Sequence, residues 1–421
     1  MSAHAPRIAV VGGGIGGLAA CAFLRRAGLA ATVYEQAPRL TEVGAGLVVA
    51  PNAVRLLRRL GVMHHFLRHA VALDWGWEFR RWENGAVLSA ERLAGVCERR
   101  YGEHTYVTHR ADLLDAIKAA VPERWVRLSA RCTGVALRPG SARLSFADGS
   151  AASADVIIGA DGMHSVVRAA ITGASPPQDS GMCAFRALVP AGRAPAATRR
   201  AQTIWLGPGR HLVHYPIRSQ RTINLVAFAP SGEHVVESWS ATASVDEFLA
   251  EFATWDPRVT GLIRAAGTPG RWALLDRPPL RHWSTGRATL LGDAAHPMFP
   301  FYAQGAAQAL EDAACLAVCL AGDLGDPERA LARYESARIG RTTRIQQLSH
   351  ARIGSNHLPD GPLQRARDAD LADSDPLMRN GWIYGYDAEA VAAQQACAGQ
   401  RSGSQDGRGT GGDRPWHPKP R

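Results

Sequence analysis

The sequence lacks several features that would assign it to common protein classes. Its 421 residues include only two lysines, Lys118 and Lys419, so arginine supplies almost all of the 48 basic residues. The seven cysteines are scattered and odd in number and form no CxxC pair, which argues against a disulfide framework and against a zinc site. No apolar run reaches the ~18 residues that a membrane span requires. We therefore predict a chain without a metal site and without a membrane segment.

The positive charge is dispersed along the chain rather than clustered. The formal net charge is +10, yet no run of five or more basic residues occurs. Nucleic-acid binding would require a basic stripe or a known binding module, and the sequence shows neither. Met1–Arg7 contains no apolar segment before Ile8, so we expect no secretory signal. Together with the cysteine pattern, this favours a cytoplasmic protein.

Length and composition indicate two closely packed domains. A chain of 421 residues is long for one core, and its hydrophobic content of 46% allows a sizeable core. In the middle of the chain, Pro and Gly punctuate strand-like runs, which predicts a mostly β domain. The expected organisation is a discontinuous cofactor-binding domain (1–172 and 281–350), a β-rich domain (173–280), a C-terminal helical segment (351–398) and a disordered tail (399–421).

The N-terminus predicts a βαβ unit of about 30 residues. Arg7–Val11 is a short apolar strand, Leu18–Ala27 is an apolar helix, and Ala31–Tyr34 is the next strand. The glycine-rich segment Gly12–Gly17 connects the first strand to the helix. This order is typical of a dinucleotide-binding unit.

The sequence also predicts one further helix and one pair of antiparallel strands. Pro51–Leu60 predicts a helix, with Asn52 as its N-terminal cap. Trp125–Leu137 and Ser141–Phe146 alternate like an antiparallel hairpin pair.

The glycine-rich loop contains the pattern G-x-G-x-x-G. Glycine is needed where the strand turns sharply, where the backbone meets a pyrophosphate, and where the helix packs on the strand. Glu35 ends the second strand, 21 residues beyond Gly14, where an acid accepts hydrogen bonds from ribose hydroxyls. This pattern alone does not separate FAD from NAD. The predicted cofactor contacts are Gly12, Gly14, Ile15, Gly16, Gly17, Glu35 and Gln36.

Two more motifs place an aspartate directly after a strand. Asp161 follows the strand Val156–Ile158, and Asp293 follows the strand Leu290–Leu291. An aspartate at the end of a strand, beside the start of a helix, can accept hydrogen bonds from the ribityl hydroxyls of a flavin. Taken singly, each is equally well explained as an Asp-Gly turn or a helix cap. Their joint occurrence with the N-terminal unit favours a flavin.

The three motifs, in this order and spacing, resemble the single-component flavoprotein aromatic hydroxylases. That family includes the hydroxylases of 4-hydroxybenzoate, salicylate, 3-hydroxybenzoate and 6-hydroxynicotinate, and the resemblance covers about residues 7 to 350. It implies an α/β fold in which a Rossmann-like FAD-binding domain is interrupted by a mostly β substrate domain and followed by C-terminal helices. It also implies a flavin contact from Arg110, ribityl binding at Asp293, and an Asp161 motif that serves both FAD and NAD(P)H.

The candidates for catalysis in the β-rich domain are His211 and Tyr215. On a strand of period two, His211, Val213 and Tyr215 share one face, so both polar tips can point into one cavity. The related hydroxylases of 3-hydroxybenzoate and 6-hydroxynicotinate carry a His-x-x-x-Tyr here that contacts the substrate. A purely structural role for both residues, in a sheet core and against a backbone carbonyl, remains open as the alternative.

Further candidates lie where a loop enters the long helix predicted over Ala306–Ala321. The backbone N–H groups of Gly305 and Ala306 can face the flavin ring, and the resemblance implies a hydrogen bond from Gln304 to the substrate. His296 ranks lower as a base, because the His-Pro of this motif is commonly structural in the family. Candidates for a pocket wall, although such residues are more often core, are Trp75, Trp77 and Trp82.

These residues predict an FAD-dependent monooxygenase that uses NAD(P)H and O₂ to hydroxylate a small phenolic or aromatic carboxylic acid. O₂ reacts slowly with closed-shell carbon, whereas reduced flavin can activate it as a C4a-hydroperoxide. Deprotonating the phenol then needs a base within hydrogen-bond reach. Two alternatives stay open: epoxidation or polyketide-ring hydroxylation by the same flavin chemistry, and a non-catalytic flavin-fold protein of the prenyl-GTPase escort type. The expected assembly is a monomer or a homodimer.

Overall fold

The computed structural model describes residues 6–40, 45–194, 199–232 and 242–403, with side chains up to residue 395. Of the predicted tail 399–421, only 399–403 fall within these ranges, at the end of a helix; the rest lies outside the described residues.

The strands are, in chain order, β1 (Ile8–Val11), β2 (Ala31–Tyr34), β3 (Gly46–Val49), β4 (Val71–Ala72), β5 (Trp75–Arg81), β6 (Val87–Arg92), β7 (Tyr106–His109), β8 (Val126–Arg127), β9 (Cys132–Arg138), β10 (Ser141–Phe146), β11 (Ala151–Ala154), β12 (Val156–Gly159), β13 (Gln178–Pro190), β14 (Ala201–Gly207), β15 (Arg210–Ile217), β16 (Thr222–Pro230), β17 (Gly270–Asp276) and β18 (Ala288–Leu290). The α-helices are α1 (Ile15–Arg26), α2 (Pro51–Arg59), α3 (Met63–Leu67), α4 (Val96–Tyr101), α5 (Arg110–Lys118), α6 (Val166–Thr172), α7 (Val245–Glu251), α8 (Pro257–Arg264), α9 (Gly305–Gly322), α10 (Pro327–Asn356), α11 (Pro362–Asp373), α12 (Pro376–Arg379), α13 (Gly381–Tyr384) and α14 (Ala388–Gly403).

A five-stranded parallel sheet forms the cofactor-binding half, in the order β18–β12–β1–β2–β8. All four residues of β1 are buried and apolar, the pattern of a parallel strand covered on both faces. The predicted βαβ unit is confirmed, with β1 and β2 paired in parallel and α1 between them in the chain. Because β1, β12 and β18 are neighbours, the three loops that follow them emerge at one edge of the sheet.

Helix α9 lies in the core of this half. It packs against α1, α2, α10 and α14, and its apolar face joins the same hydrophobic cluster as β1 and β12. Among the described residues it is the one helix with the length and composition of a membrane span, but most of it is buried inside the fold. It also carries Glu311 and Asp312, which form buried ion pairs with Arg338 of α10.

A seven-stranded sheet forms the second half, in the order β17–β13–β16–β15–β14–β5–β6. Its neighbours pair antiparallel except for β14 and β5, which are parallel. One face packs against α7 and α8 through Leu212, Leu225 and Phe248, whereas the opposite face carries Val213 and Tyr215. The mostly β character predicted for residues 173–280 is therefore seen.

Two strands of this sheet come from earlier in the chain. β5 and β6, within residues 75–92, lie in the part of the sequence that the predicted boundaries gave to the cofactor-binding domain. The pairing of β5 with β14 joins the two parts of the chain across more than a hundred residues. Local patterns cannot reveal this pairing, because a strand's sequence does not say which sheet it joins.

Two local predictions are wrong. Asn52 does not cap α2, because the helix begins at Pro51 with Ala50 at the cap position, and the Asn52 side chain is buried among polar groups. The predicted strand Trp125–Leu137 is divided in two: β8 joins the parallel sheet beside β2, and only β9 pairs with β10.

Candidate functional site

The three predicted motifs meet at the carboxyl edge of the parallel sheet. A Cβ atom built on Gly12 would lie 2.3 Å from the carbonyl oxygen of Ala160 and 3.0 Å from the Cα of Asp161. A Cβ built on Gly16 would lie 2.6 Å from Cδ2 of Leu291. Side chains in the glycine loop would therefore push the other two loops away, which explains why glycine stands there.

The glycine loop leaves the first turn of α1 open to an anion. Gly12 has φ +103°, and a Cβ on Gly17 would lie 1.9 Å from the Gly12 carbonyl oxygen, so the turn requires both glycines. Gly14 occupies the cap position of α1 without a side-chain cap. The N–H groups of Ile15 and Gly16 in the first turn have no partner within the helix and are available to a pyrophosphate.

Glu35 lies directly against this loop. Its Oε2 accepts a hydrogen bond from the Gly13 N–H at 2.6 Å, and its Oε1 accepts one from the Ala37 N–H at 2.8 Å. These bonds fix a half-buried carboxylate beside the start of α1, where a ribose attached to the pyrophosphate would lie. Gln36, the other predicted contact on this loop, is exposed.

Asp161 supports the start of α6. Its Oδ1 accepts a hydrogen bond from the Ser165 hydroxyl at 2.5 Å, and its Oδ2 accepts one from the Val166 N–H at 2.7 Å. Burial raises the pKa of Asp161, and these hydrogen bonds act in the opposite direction. Ser165 occupies the cap position of α6, and Asp161 accepts hydrogen bonds from the N–H groups of the first turn. Contacts of Asp161 with FAD and NAD(P)H stay predictions.

Asp293 differs from Asp161 because its side chain is exposed. Its backbone is held from both sides: Asp312 accepts a hydrogen bond from the Gly292 N–H at 3.0 Å, and Arg168 donates to the carbonyl of Ala294 at 3.0 Å. A rigid loop therefore presents the Asp293 carboxylate at the edge where the three motifs meet. This geometry suits hydrogen bonds to the ribityl chain.

The N-terminus of α9 opens toward the same region. Gly305 and Ala306 form its first turn and are partly exposed, and a Cβ built on Gly305 would meet no atom within 4 Å. Their N–H groups have no partner within the helix. Arg110, at the start of α5, is half-buried, and its N–H donates to the carbonyl of Ala45 at 3.1 Å.

Gln304 is buried just before α9. Its Oε1 accepts hydrogen bonds from Nδ2 of Asn52 and from Nε2 of Gln308, both at 3.0 Å. Asn52 also donates to Oε1 of Glu311 at 2.7 Å. Because both lone pairs of the Gln304 oxygen are used, a hydrogen bond from Gln304 to a substrate has to come from its amide nitrogen.

A buried ionic cluster holds the 292–304 loop on α9 and α10. Glu311 pairs with Arg338 at 2.6 Å and Arg341 at 2.7 Å, while Asp312 pairs with Arg338 at 2.8 Å and His296 at 2.6 Å. Burial alone would raise the pKa of Glu311 and of Asp312. Arg341 and Arg338 nevertheless hold the pKa of Glu311 below its usual range. His296 and Arg338 lower the pKa of Asp312 to about 2. The position of His296 fits a structural role.

His211 and Tyr215 lie on the strand and on the shared face that the sequence predicted, and both are buried. The His211 ring stacks on Phe228 with centroids 4.5 Å apart and meets Phe301 edge-on at 5.1 Å. Its Nδ1 is 2.6 Å from Nε2 of His357. Burial lowers the pKa of His211 well below its usual value, and the neighbouring His357 and Arg352 lower it further, so the ring is neutral.

Tyr215 has different surroundings. A Cβ built on Gly46 of β3 would lie 2.7 Å from the Tyr215 ring and 2.8 Å from Cγ of Asn224, so this side of the sheet packs closely on β3. Burial raises the pKa of Tyr215, and the nearby Arg186 opposes that rise. Burial also lowers the pKa of Arg186 to about 10. Whether His211 and Tyr215 share one substrate cavity stays a prediction.

A small cavity beside Gln304 was not predicted from the sequence. Trp77, Glu91, Tyr302 and Ala303 contribute to its wall together with Gln304. Trp77 and Ala303 have φ of +43° and +51°, a strained conformation for residues with a side chain, and such strain is common at functional sites. Glu91 was missed because it lies in the polar strand β6, whose sequence resembles a surface strand.

The convergence of the three loops at an open helix N-terminus fits FAD, and comparisons with known proteins agree. The sequence profile of a family described as FAD binding domain matches residues 6–349. The 3-amino-4-hydroxybenzoate 2-monooxygenase PtmB3 of Streptomyces platensis is 44% identical over 396 residues, which cover 94% of this chain and 99% of that protein.

More distant proteins match over similar lengths. The 6-hydroxynicotinate 3-monooxygenase of Bordetella bronchiseptica is 36% identical, and the match covers 94% of this chain and 98% of that protein. The structure of a salicylate hydroxylase substrate complex has a TM-score of 0.77 at 29% identity, covering 93% of this chain and 98% of that chain. The chain therefore belongs to the FAD binding domain family, and it is an FAD-dependent aromatic monooxygenase.

Proposed function

We propose that the enzyme hydroxylates a small aromatic acid that carries a phenolic hydroxyl, with NAD(P)H and O₂ as co-substrates. The observation that carries this proposal is the meeting of the three cofactor loops at one edge of the parallel sheet, where Gly16 and Gly292 lie against Ala309 of α9. Relatives that match over 94% of the chain act on 3-amino-4-hydroxybenzoate and 6-hydroxynicotinate, which are hydroxylated aromatic acids. When bound, the flavin supplies the activation of O₂.

The loops at the sheet edge have separate tasks in this proposal. The N–H groups of Ile15 and Gly16 bind the pyrophosphate of FAD, and Glu35 binds the adenosine ribose. Asp293 accepts hydrogen bonds from the ribityl hydroxyls, and the first turn of α9 faces the flavin ring through Gly305.

NAD(P)H docks beside the Asp161 loop in this proposal. An open cleft next to that loop is lined by His164, Arg168 and Arg277. Arginine suits the phosphates of a dinucleotide, since its planar group donates two parallel hydrogen bonds. The sequence contains no second G-x-G-x-x-G that opens a βαβ unit, which agrees with transient docking.

His211 and Tyr215 move the phenolic proton of the substrate in this proposal. A neutral His211 can relay the proton: it receives one at one ring nitrogen while Nδ1 passes the other to His357, 2.6 Å away. His357 is partly exposed at the end of α10, so the proton is released to solvent there. Tyr215 keeps its hydroxyl proton at neutral pH because burial raises its pKa, so it acts as a donor or relay rather than as the final base. Removing this proton makes the ring electron-rich.

The test is a screen of hydroxylated aromatic acids with the FAD-loaded enzyme. We expect at least one acid to stimulate NAD(P)H oxidation and to yield a product that has gained one oxygen atom, identified by mass. The control for each compound is its analogue without the phenolic hydroxyl, which should give little product. If no aromatic acid stimulates oxidation while the protein retains FAD, the proposed substrate class is wrong.

A further inference from the structure

The cavity beside Gln304 ends at a buried acid that the chemistry described so far does not use. Glu91 lies on β6, opposite Gly76 of β5, and is only 6% exposed. Its Oε1 is buried and has no hydrogen-bond partner among the described residues. An unpartnered buried carboxyl oxygen is costly, so a ligand that donates to it would gain affinity.

The surroundings of Glu91 keep its carboxyl protonated at neutral pH. Burial is the main cause that raises its pKa to about 8, the charge of Asp375 raises it further, and Arg100 and the Leu377 N–H act in the opposite direction. Arg100 is itself paired with Asp375 at 2.9 Å. Cys97 and Tyr384 also face the acid, and burial raises the pKa of both, so they remain neutral.

The cavity is small. Its volume is about 10 Å³, close to the minimum of about 10–15 Å³ that one water molecule needs. A whole aromatic ring does not fit, whereas a substituent with one heavy atom does. The wall residues Trp77 and Tyr302 meet edge-on with centroids 5.7 Å apart, and Gln304 completes the wall on the side of the α9 N-terminus.

We propose that this cavity is the subsite for an amino substituent of the aromatic substrate, and that Glu91 accepts a hydrogen bond from its N–H. The proposal rests on the proposed function, because it assigns one substituent of the ring that this enzyme hydroxylates. An amino group is the size of a water molecule and donates, which is what an unpartnered carboxyl oxygen requires.

Other substituents fit this subsite less well. The phenolic hydroxyl has to lose its proton during hydroxylation. The resulting phenolate would be buried in a cavity whose described lining contains no Lys, Arg or His to balance its charge. The carboxylate of the substrate is excluded for the same reason. Both groups therefore point away from Glu91, and the amino group determines how the ring is oriented.

The test compares three rings that differ at one position: 3-amino-4-hydroxybenzoate, 3,4-dihydroxybenzoate and 4-hydroxybenzoate. Dissociation constants are measured from the change in flavin absorbance on titration, which does not depend on turnover. We expect the wild type to bind the amino compound most tightly. At pH 9, where Glu91 is ionised, Glu91→Gln should weaken that binding by roughly tenfold or more, the worth of a charged hydrogen bond, and should change binding of 4-hydroxybenzoate by less than about threefold.

Glutamine has the same shape as glutamate and keeps one acceptor oxygen, so we expect the variant to fold. Its FAD content and melting temperature check this. Glu98→Gln is the matched control, because Glu98 is a nearby exposed acid paired with His104 and does not line the cavity. It should leave all three dissociation constants unchanged.

Several outcomes overturn the inference. If Glu91→Gln weakens the binding of all three rings equally, or of none, Glu91 does not bind the amino group. The same loss for the dihydroxy ring shows that the subsite is not specific for nitrogen. If the wild type binds none of the three but oxidises another aromatic acid, the inference is wrong and the proposed function stands. If no aromatic acid binds or is oxidised, the proposed function fails as well.

Discussion

At the scale of single residues, substitutions can distinguish a role of His211 and Tyr215 in proton transfer from a role in packing alone. We expect His211→Ala and Tyr215→Phe to slow hydroxylation by about 10²–10⁴-fold, the usual cost of removing a proton-transfer group. The rate of NAD(P)H oxidation should fall less than the rate of hydroxylation. Hydrogen peroxide should be released, because a ring that is not activated fails to accept the oxygen. The measurement is the ratio of product formed to NAD(P)H consumed.

Val213→Ala is the control for these variants, since Val213 lies between the two residues on the same face and has no polar group. It should keep the wild-type ratio of product to NAD(P)H. If His211→Ala and Tyr215→Phe also keep the wild-type ratio and turnover, the two side chains are structural, which is the alternative that the sequence left open.

Asp293 is expected to contribute to FAD affinity rather than to stability, because its side chain is exposed. Asp293→Ala should give folded protein that binds FAD about tenfold more weakly or worse, given about 1.5–3 kcal/mol for a charged hydrogen bond. Equilibrium titration of the apoprotein with FAD measures this. Asp148→Ala, which removes an exposed aspartate from a turn at Ser150, should have no effect on FAD binding. Unchanged affinity in Asp293→Ala would contradict the ribityl assignment.

The raised pKa of the buried Glu91 also predicts that the stability of the protein depends on pH. Its pKa in the folded protein is raised from 4.5 to about 8, so its contribution to stability is fully present below about pH 4.5 and is lost as the pH rises through about 8. The neutral variant Glu91→Gln should therefore gain stability relative to the wild type between pH 5 and pH 9, on the order of a few kcal/mol. Melting temperatures across this range test it, and a difference that stays constant with pH would refute it.

At the scale of secondary-structure elements, the buried ionic cluster decides whether the 292–304 loop stays on α9 and α10. Arg338→Met removes the shared partner of Glu311 and Asp312 and leaves both carboxylates buried. Breaking a buried pair typically costs about 3–5 kcal/mol, and we also expect weaker FAD retention because the loop carries Asp293. Chemical denaturation and flavin content measure the two effects.

Arg329→Met is the matched control on the same helix. Arg329 pairs with Asp323, but its side chain is 64% exposed, and exposed pairs contribute at most about 1 kcal/mol. A similar loss of stability in both variants would show that the cluster has no special role.

At the scale of the whole molecule, FAD should stabilise the fold as a unit, because its site is assembled from loops near residues 12, 161 and 293. A ligand present at a hundred times its Kd adds about 2.7 kcal/mol of stability. The apoprotein should therefore melt at a lower temperature than the FAD-loaded protein. FMN, which lacks the adenosine part, should restore less stability, because it cannot reach Glu35 and the glycine loop together. Equal melting temperatures with and without FAD would contradict the shared site.

Local sequence patterns determined the cofactor-binding half. The apolar strand β1, the glycine loop and Glu35 follow each other within about 30 residues, and each is recognisable without the rest of the fold. The strand that carries His211 and Tyr215 was also predicted correctly, as a strand-like run in a region punctuated by Pro and Gly. Asn52 was misread as a cap, because polar residues near a helix start favour capping unless a buried partner such as Glu311 is present.

The sequence by itself determined the βαβ unit, the three motifs and, through their order, the flavin monooxygenase family. Only the tertiary structure decided that β5 and β6 join the second sheet, that Gln304 is held by α2, and that Glu91 closes a small cavity. These features depend on contacts between residues far apart in the chain. Periodicity and turn-forming residues depend only on residues that are close in the sequence. The burial of an acid in a polar strand depends instead on which distant parts of the chain pack against that strand.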